Sequence, residues 1–208
     1  MKYEWRKKEK ETYLPKNTPA MHIGIERMYI TVEGEGHPGS DAFRSKIELL
    51  YALSYSIRMM LKSGVTPNGY FEYTVFPLEG IWDLNEEGRK LDYLNKNHFV
   101  YRLMIRQPDF MTEELFQAAI ENVSAKKKHL AVESAKFERI SDGLCVQMMH
   151  LGSYNDEPET FSIMEKYCDV HELTRIDRTH KEIYISNASK TAPEKLQTVI
   201  RFKVSKQN

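Results

Sequence analysis

The sequence predicts an α+β fold of two pseudo-symmetric strand-helix-strand-strand modules, with antiparallel sheets that form a ligand cleft. Three observations predict it. The order strand, helix, strand, strand recurs in both halves, although the halves share little sequence. The helices do not alternate regularly with single strands, which argues against a doubly wound parallel sheet. The chain has 208 residues, 41% hydrophobic and 29% charged, which suits one large domain or two small fused ones with a buried core.

Residues 1–18 are charged and end in "LPKNTP"; they read as an irregular arm in which Trp5 or Tyr13 packs on the body. Residues 19–208 read as one domain: module one over 19–110, a linking helix over 112–127 and module two over 130–208. "MHIGIERMYITVEGEG" reads as a strand, since Ile25, Tyr29, Ile30 and Val32 are good strand formers. "GEGHPGS" is a turn-rich loop. Its glycines at 34, 36 and 39 lack the strand-helix context that a nucleotide loop requires. Phe43, Ile47, Leu50, Ser54, Ile57 and Leu61 form one apolar helical stripe, capped at Ser40 or Asp41 and ended by "SGVTPNG". "YFEYTVFPLEGIWDL" reads as a strand, a break at Pro77 and a second short strand or bend. The polar excursion "NEEGRKLDYLNKN" and the strand "HFVYRLMIRQP" follow. Thr112 caps the next helix, with Glu113 and Glu114 in its first turn and "AKKKH" at its end, as the helix dipole favours. Then come a strand pair or one long bent strand in "AKFERISDGLCVQMMHLGSY", and a helix in "NDEPETFSIMEKYCDV" with Pro158 in its first turn. "KEIYISN" and "TVIRFKV" are the final strands.

Lys plus Arg equals Asp plus Glu at 30 each, which argues against a dedicated nucleic-acid surface. Cys145 and Cys168 form neither a disulfide framework nor a CxxC site; Cys145, inside "GLCVQMM", reads as a buried thiol. No stretch approaches the roughly 18–20 apolar residues that span a bilayer, and no apolar segment follows the basic N-terminus. The expectation is a cytoplasmic protein with no membrane partner and no direct nucleic-acid partner. There is no HExxH, no convincing histidine ligand pair among the scattered His98, His150 and His180, and no GxSxG elbow. No metal and no cofactor are expected.

Glu182, Tyr184 and Ser186 alternate with Ile183 and Ile185. A strand sends successive side chains to opposite faces. Ile183 and Ile185 are therefore expected under a helix, with Glu182 and Tyr184 on the other face. That face either meets water, with Glu182 paired to Lys181 or Arg201, or walls a groove shared by the two modules. Trp82 reads as core, module interface or stacking surface, Glu79 as a turn carboxylate, and Tyr51 and Tyr55 as phenols beside the helix stripe.

The motifs resemble those of the GyrI-like small-molecule-binding family, named after a bacterial gyrase inhibitor. The stretches that carry the resemblance are "ITVEGEGHPGSDAFRSKIELLYALSYSIRMM", "YTVFPLEGIWD", "YRLMIRQPDFMTEELFQAAI", "GLCVQMMHLGSYNDEPETF" and "KEIYISNASKTAPEKLQTVIR". "PLEGIW" and the last stretch are similar to a stand-alone branch. The resemblance implies two strand-helix-strand-strand modules around a cleft. Some members sense lipophilic, often cationic, drugs for transcription activators, one group binds gyrase, and a stand-alone group hydrolyses the strained cyclopropane of DNA-alkylating antibiotics. It also implies that Glu182, in the penultimate strand, is the acidic centre of the cleft. The chain lacks a helix-turn-helix segment, which favours a free-standing binder or hydrolase.

A carboxylate among aromatic rings can hold a cation, or can act as a base on water once desolvation raises its pKa. In the hydrolase reading Glu182 is the base or water holder. Tyr184, Tyr55 or Tyr101 supplies a hydrogen bond, and Trp82 and Phe71 supply stacking surface. The expected partner is a lipophilic or aromatic small molecule, cationic ones included. The alternative is a non-catalytic drug or effector binder, or a gyrase-interacting protein, and a homodimer is left open.

Overall fold

In a computed structural model, residues 2–62, 64 and 66–207 are described. In chain order the elements are α1 (Trp5–Lys8), α2 (Lys10–Tyr13), β1 (Ala20–Gly24), β2 (Arg27–Glu35), α3 (Asp41–Lys62), β3 (Leu78–Leu84) and α4 (Glu86–Arg89). They continue with β4 (Phe99–Arg106), α5 (Glu113–Lys126), β5 (Ala135–Ile140), β6 (Gly143–Leu151), α6 (Glu157–Val170), β7 (Leu173–Arg175), β8 (His180–Tyr184) and β9 (Gln197–Lys206). The chain forms two compact units. One contains Met1–Glu4 and Arg27–Ile140, the other Trp5–Glu26 and Ser141–Asn208.

The first unit carries an antiparallel sheet in the order β3-β4-β2-β5. Ser40 starts α3 by accepting a hydrogen bond from the Phe43 N–H at 3.2 Å, satisfying one of the orphan donors of a helix N-terminus. The predicted stripe then buries Phe43, Leu50, Ser54, Ile57 and Leu61 against β2 and β4, with Ile47 half-buried. The neighbouring Leu49 and Leu53 are also buried, and α5 lies beside α3. The helix stop expected at "SGVTPNG" falls partly on Ser63 and Val65, outside the described residues. Thr112 caps α5 as expected, accepting from the Leu115 N–H at 3.4 Å.

The second unit carries the antiparallel order β1-β6-β9-β8, with β7 paired to the end of β9. Helix α6 packs on β6 and β7 over Val146, Met148, Ile200 and Phe202. In each unit the module core has one plan: β2-α3-β3-β4 gives the order β3-β4-β2, and β6-α6-β8-β9 gives β8-β9-β6. Each first strand also gains an outer neighbour. The strand just before β2 is β1, yet it pairs with β6; the strand just before β6 is β5, yet it pairs with β2.

Several local expectations change. "MHIGIERMYITVEGEG" is two strands interrupted at Ile25 and Glu26, because its two parts pair with different partners. The arm is two helical turns rather than irregular chain. Both Trp5 and Tyr13 are buried, with ring centres 5.1 Å apart. "YFEYTV" makes only an isolated bridge between Tyr73 and Tyr3. Ring packing among Tyr3, Phe71, Tyr73 and Phe110 organises it instead of a ladder. Among the described residues no helix is long and apolar enough to cross a membrane.

Candidate functional site

Cross-strand register places Glu182. Directly paired residues of an antiparallel ladder share a face. Glu182 pairs with Ile200 and Tyr184 with Thr198; across β9, Ile200 pairs with Met148 and Thr198 with His150. Ile200 and Met148 belong to the core under α6, so Glu182 and Tyr184 lie on the α6 face. This reverses the expected assignment. Ile183 shares the other face with Val199, Lys181 and Arg201. Its burial there does not come from α6.

Glu182 is only 8% exposed, and its Oε1 lies 3.0 Å from His180 Nε2. One residue separates the two on β8, so both project to the same face. Phe161 of α6 meets the imidazole edge-on, with ring centres 4.9 Å apart. The half-buried Tyr184 meets Tyr154 at 6.1 Å, with rings nearly perpendicular. Burial, and then the charges of Glu182 and Glu157, push the Tyr154 phenol up to about 12, against a hydrogen bond from Thr198. Tyr154 is therefore a protonated donor at neutral pH. The turn that carries it is held by buried His150. His150 Nε2 lies 2.9 Å from the Ser153 carbonyl, which can only accept, so Nε2 carries the proton. Nδ1 then accepts from the Thr160 hydroxyl at 2.8 Å. Together these groups form a buried carboxylate paired with a half-buried imidazole and bordered by two phenols and Phe161, a set able to accept a proton from water and to donate a hydrogen bond.

In the first unit, Trp82 and Tyr101 are register partners with ring centres 5.2 Å apart. Phe43 of α3 lies 5.7 Å from Trp82 and 5.0 Å from Tyr101. Both rings lie over glycines. A Cβ at Gly80 would come 2.8 Å from Trp82 Nε1, and one at Gly34 would overlap the Tyr101 ring at 2.5 Å. Gly34 thus has a packing reason, separate from any phosphate loop. Gly80→Ala should force the indole to move and cost about 1–3 kcal/mol, an overpacking effect. A shift in tryptophan emission alongside a lower melting temperature would register it; a native-like spectrum and melting curve would show that the indole has room.

The other candidates make contacts of their own. Tyr55 is 47% exposed and stacks on Tyr51. Phe71 packs with Tyr3 and Phe110. Glu79 is a buried strand residue rather than a turn carboxylate, and it accepts from the Tyr29 hydroxyl at 3.4 Å. Sequence reasoning missed His180, Tyr154 and Phe161. The alternation His180, Glu182, Tyr184 contained the signal for His180. Tyr154 sits in a turn, where no periodicity marks it.

The family signature of the GyrI-like small molecule binding domain matches residues 25–205. The chain belongs to the GyrI-like small-molecule-binding family. Solved structures agree with that membership. An uncharacterised conserved protein from Listeria innocua is 33% identical, with a TM-score of 0.90, over 98% of this chain and 100% of that one. Two hydrolases from the same organism are also similar to this GyrI-like chain. One is 32% identical with a TM-score of 0.87, over 98% of this chain and 100% of its own. The other is 35% identical with a TM-score of 0.88, over 99% of this chain and 100% of its own. Among curated proteins, none matches this GyrI-like chain.

Proposed function

We propose that this GyrI-like protein binds a lipophilic, aromatic small molecule and opens a strained cyclopropane in it with water, protecting the cytoplasm from DNA-alkylating toxins. The observation that carries the reading is the buried Glu182, held through one oxygen by His180 and bordered by the protonated Tyr154. The hydrolase relatives from Listeria innocua support catalysis. Glu182 takes a proton from a water molecule. The water oxygen forms a bond to the cyclopropane methylene, and the strained C–C bond breaks. Its electron pair passes into the ring and turns a dienone carbonyl into a phenolate. A proton then restores the phenol, so the net change is addition of one water. Tyr154 donates a hydrogen bond to the developing oxyanion, which favours the transition state more than the ground state. Tyr184 offers a ring wall beside it.

In the first unit, Trp82, Tyr101, Tyr55 and Phe71 are proposed as ligand contacts. The best supported are Trp82 and Tyr101, whose rings already form one cluster. Incubation with a spirocyclopropyl-dienone alkylator should give the ring-opened hydrate, detected by mass spectrometry as substrate plus one water. Saturable binding without that product would return the protein to non-catalytic effector binding.

A further inference from the structure

We infer that His180 is a built-in partner for Glu182 that sets the ligand class: the site takes neutral aromatic electrophiles and discriminates against lipophilic cations. This rests on the reading of Glu182 as the centre of the site. A buried carboxylate recruits cations when its charge lacks compensation. Here His180 Nε2 already sits 3.0 Å from Oε1. Among the described residues no hydrogen bond reaches Oε2 of Glu182, so that oxygen is the one left for water. The imidazole is not a loose partner. Phe161 backs it at 4.9 Å, and the Arg175 guanidinium lies 5.5 Å from the centre of that same Phe161 ring and 4.5 Å from that of Phe202. Arg175 is in turn held by the Arg178 carbonyl at 2.8 Å and the Thr179 carbonyl at 3.1 Å, the residues that lead into His180. The nearby negative groups have roles of their own. Glu165 lies 3.5 Å from Arg175, and Glu157 acts on Tyr154. An entering cation therefore competes with a fixed donor for Oε1, and the Arg175 guanidinium over Phe161 and Phe202 adds a positive charge nearby. A neutral ring meets aromatic surface, a base and a phenolic donor, with no charge to desolvate.

Two probes of nearly equal shape separate the cases by fluorescence titration: acridine, uncharged at about pH 8, and the permanently charged N-methylacridinium. The wild-type protein should bind acridine the more tightly. His180→Phe keeps a ring against Phe161 and removes the donor. It should bind N-methylacridinium about tenfold or more tightly than wild type does, turning the ratio of the two affinities toward the cation. His180→Gln restores an N–H donor and should restore the wild-type preference, and adding Glu182→Gln to His180→Phe should erase the gain. If His180→Phe fails to fold, His180→Ala carries the same expectation. Unchanged cation affinity in the donor-free variant, with acridine still bound, would overturn the role of His180 and leave the reading of Glu182 standing. Cation affinity that rises but ignores Glu182→Gln would overturn the placement of Glu182, and no binding of either probe to any variant would overturn the site itself.

Discussion

Glu182→Gln should lower hydrolysis about 10²–10⁴-fold, the usual contribution of a positioned acid or base. The substitution keeps the side chain's shape, and the amide oxygen can still accept a hydrogen bond from His180. What is lost is the negative charge and the ability to take a proton from water. Stacking surface is untouched, so affinity for a neutral aromatic ligand should hold while kcat falls. A second readout is independent of substrate. After burial, it is the charge of Glu182 that does most to push the Tyr154 phenol up to about 12. Removing its charge should bring the Tyr154 pKa down, as followed by tyrosine-selective NMR in a high-pH titration. An unchanged turnover number, an unmoved Tyr154 titration and a stability change within about 0.5 kcal/mol would make Glu182 an ordinary strand residue.

Periodicity made much of the fold legible. The α3 stripe, the caps at Ser40 and Thr112, and the cores of β4, β8 and β9 all follow from spacing and local chemistry, which act within a few residues. The partners of β1 and β5 do not. Met21 and Ile23 look like the start of one strand that continues through Ile30, yet they pair with Val146 and Leu144. Lys136 and Phe137 read in sequence as part of the second module, yet they pair with Thr31 and Ile30. Alternation says which side chains share a face and is silent about which strand lies alongside. The same limit explains the reversal at β8. Spacing separated Glu182 from Ile183 correctly, and only the pairing of Glu182 with Ile200 shows which of the two faces α6 covers. A greasy residue does not have to face the helix when the other side of the sheet is buried as well. At the candidate site, Glu182 and Tyr184 were readable because a strand displays them two residues apart. Tyr154 was not, because its position depends on the buried His150 and its bonds to Ser153 and Thr160.

The other face of that sheet carries the largest stability effect expected. Asp142→Ala should destabilise the second unit by about 3–5 kcal/mol, the cost of breaking a buried ion pair from one side. Asp142 Oδ1 lies 2.7 Å from Lys181 Nζ, and Oδ2 lies 2.6 Å from Arg201 Nη1, with all three side chains buried. Lys181 and Arg201 are direct register partners, so removing the aspartate leaves two cations facing each other across β8 and β9. Arg201 also donates to Gln147 Oε1 at 2.7 Å and to the Thr12 carbonyl at 3.1 Å, and Gln147 donates to the Glu11 carbonyl at 2.7 Å. The damage should therefore reach the N-terminal arm. Burial alone would raise the Asp142 pKa, but Lys181 and Arg201 outweigh it and hold the carboxyl down at about 2, against an ordinary 3.8. A folded pKa below the unfolded one means stability that is fully present above the unfolded value and lost as pH falls through the folded one. Between about pH 4 and pH 2 the wild type should lose about 2 kcal/mol from this group, and the alanine variant should lose none of it. His22 marks a separate window. Burial first, then Arg201 and Lys181, lower its pKa to about 4, although Asp142 acts the other way. Its contribution is complete above about pH 6.5 and fades toward pH 4, by the same sign. Urea unfolding across pH 2 to 8 resolves the two windows. A loss below about 1 kcal/mol in Asp142→Ala at neutral pH, or an acid limb identical in the two proteins, would show that Asp142 does not hold this face together.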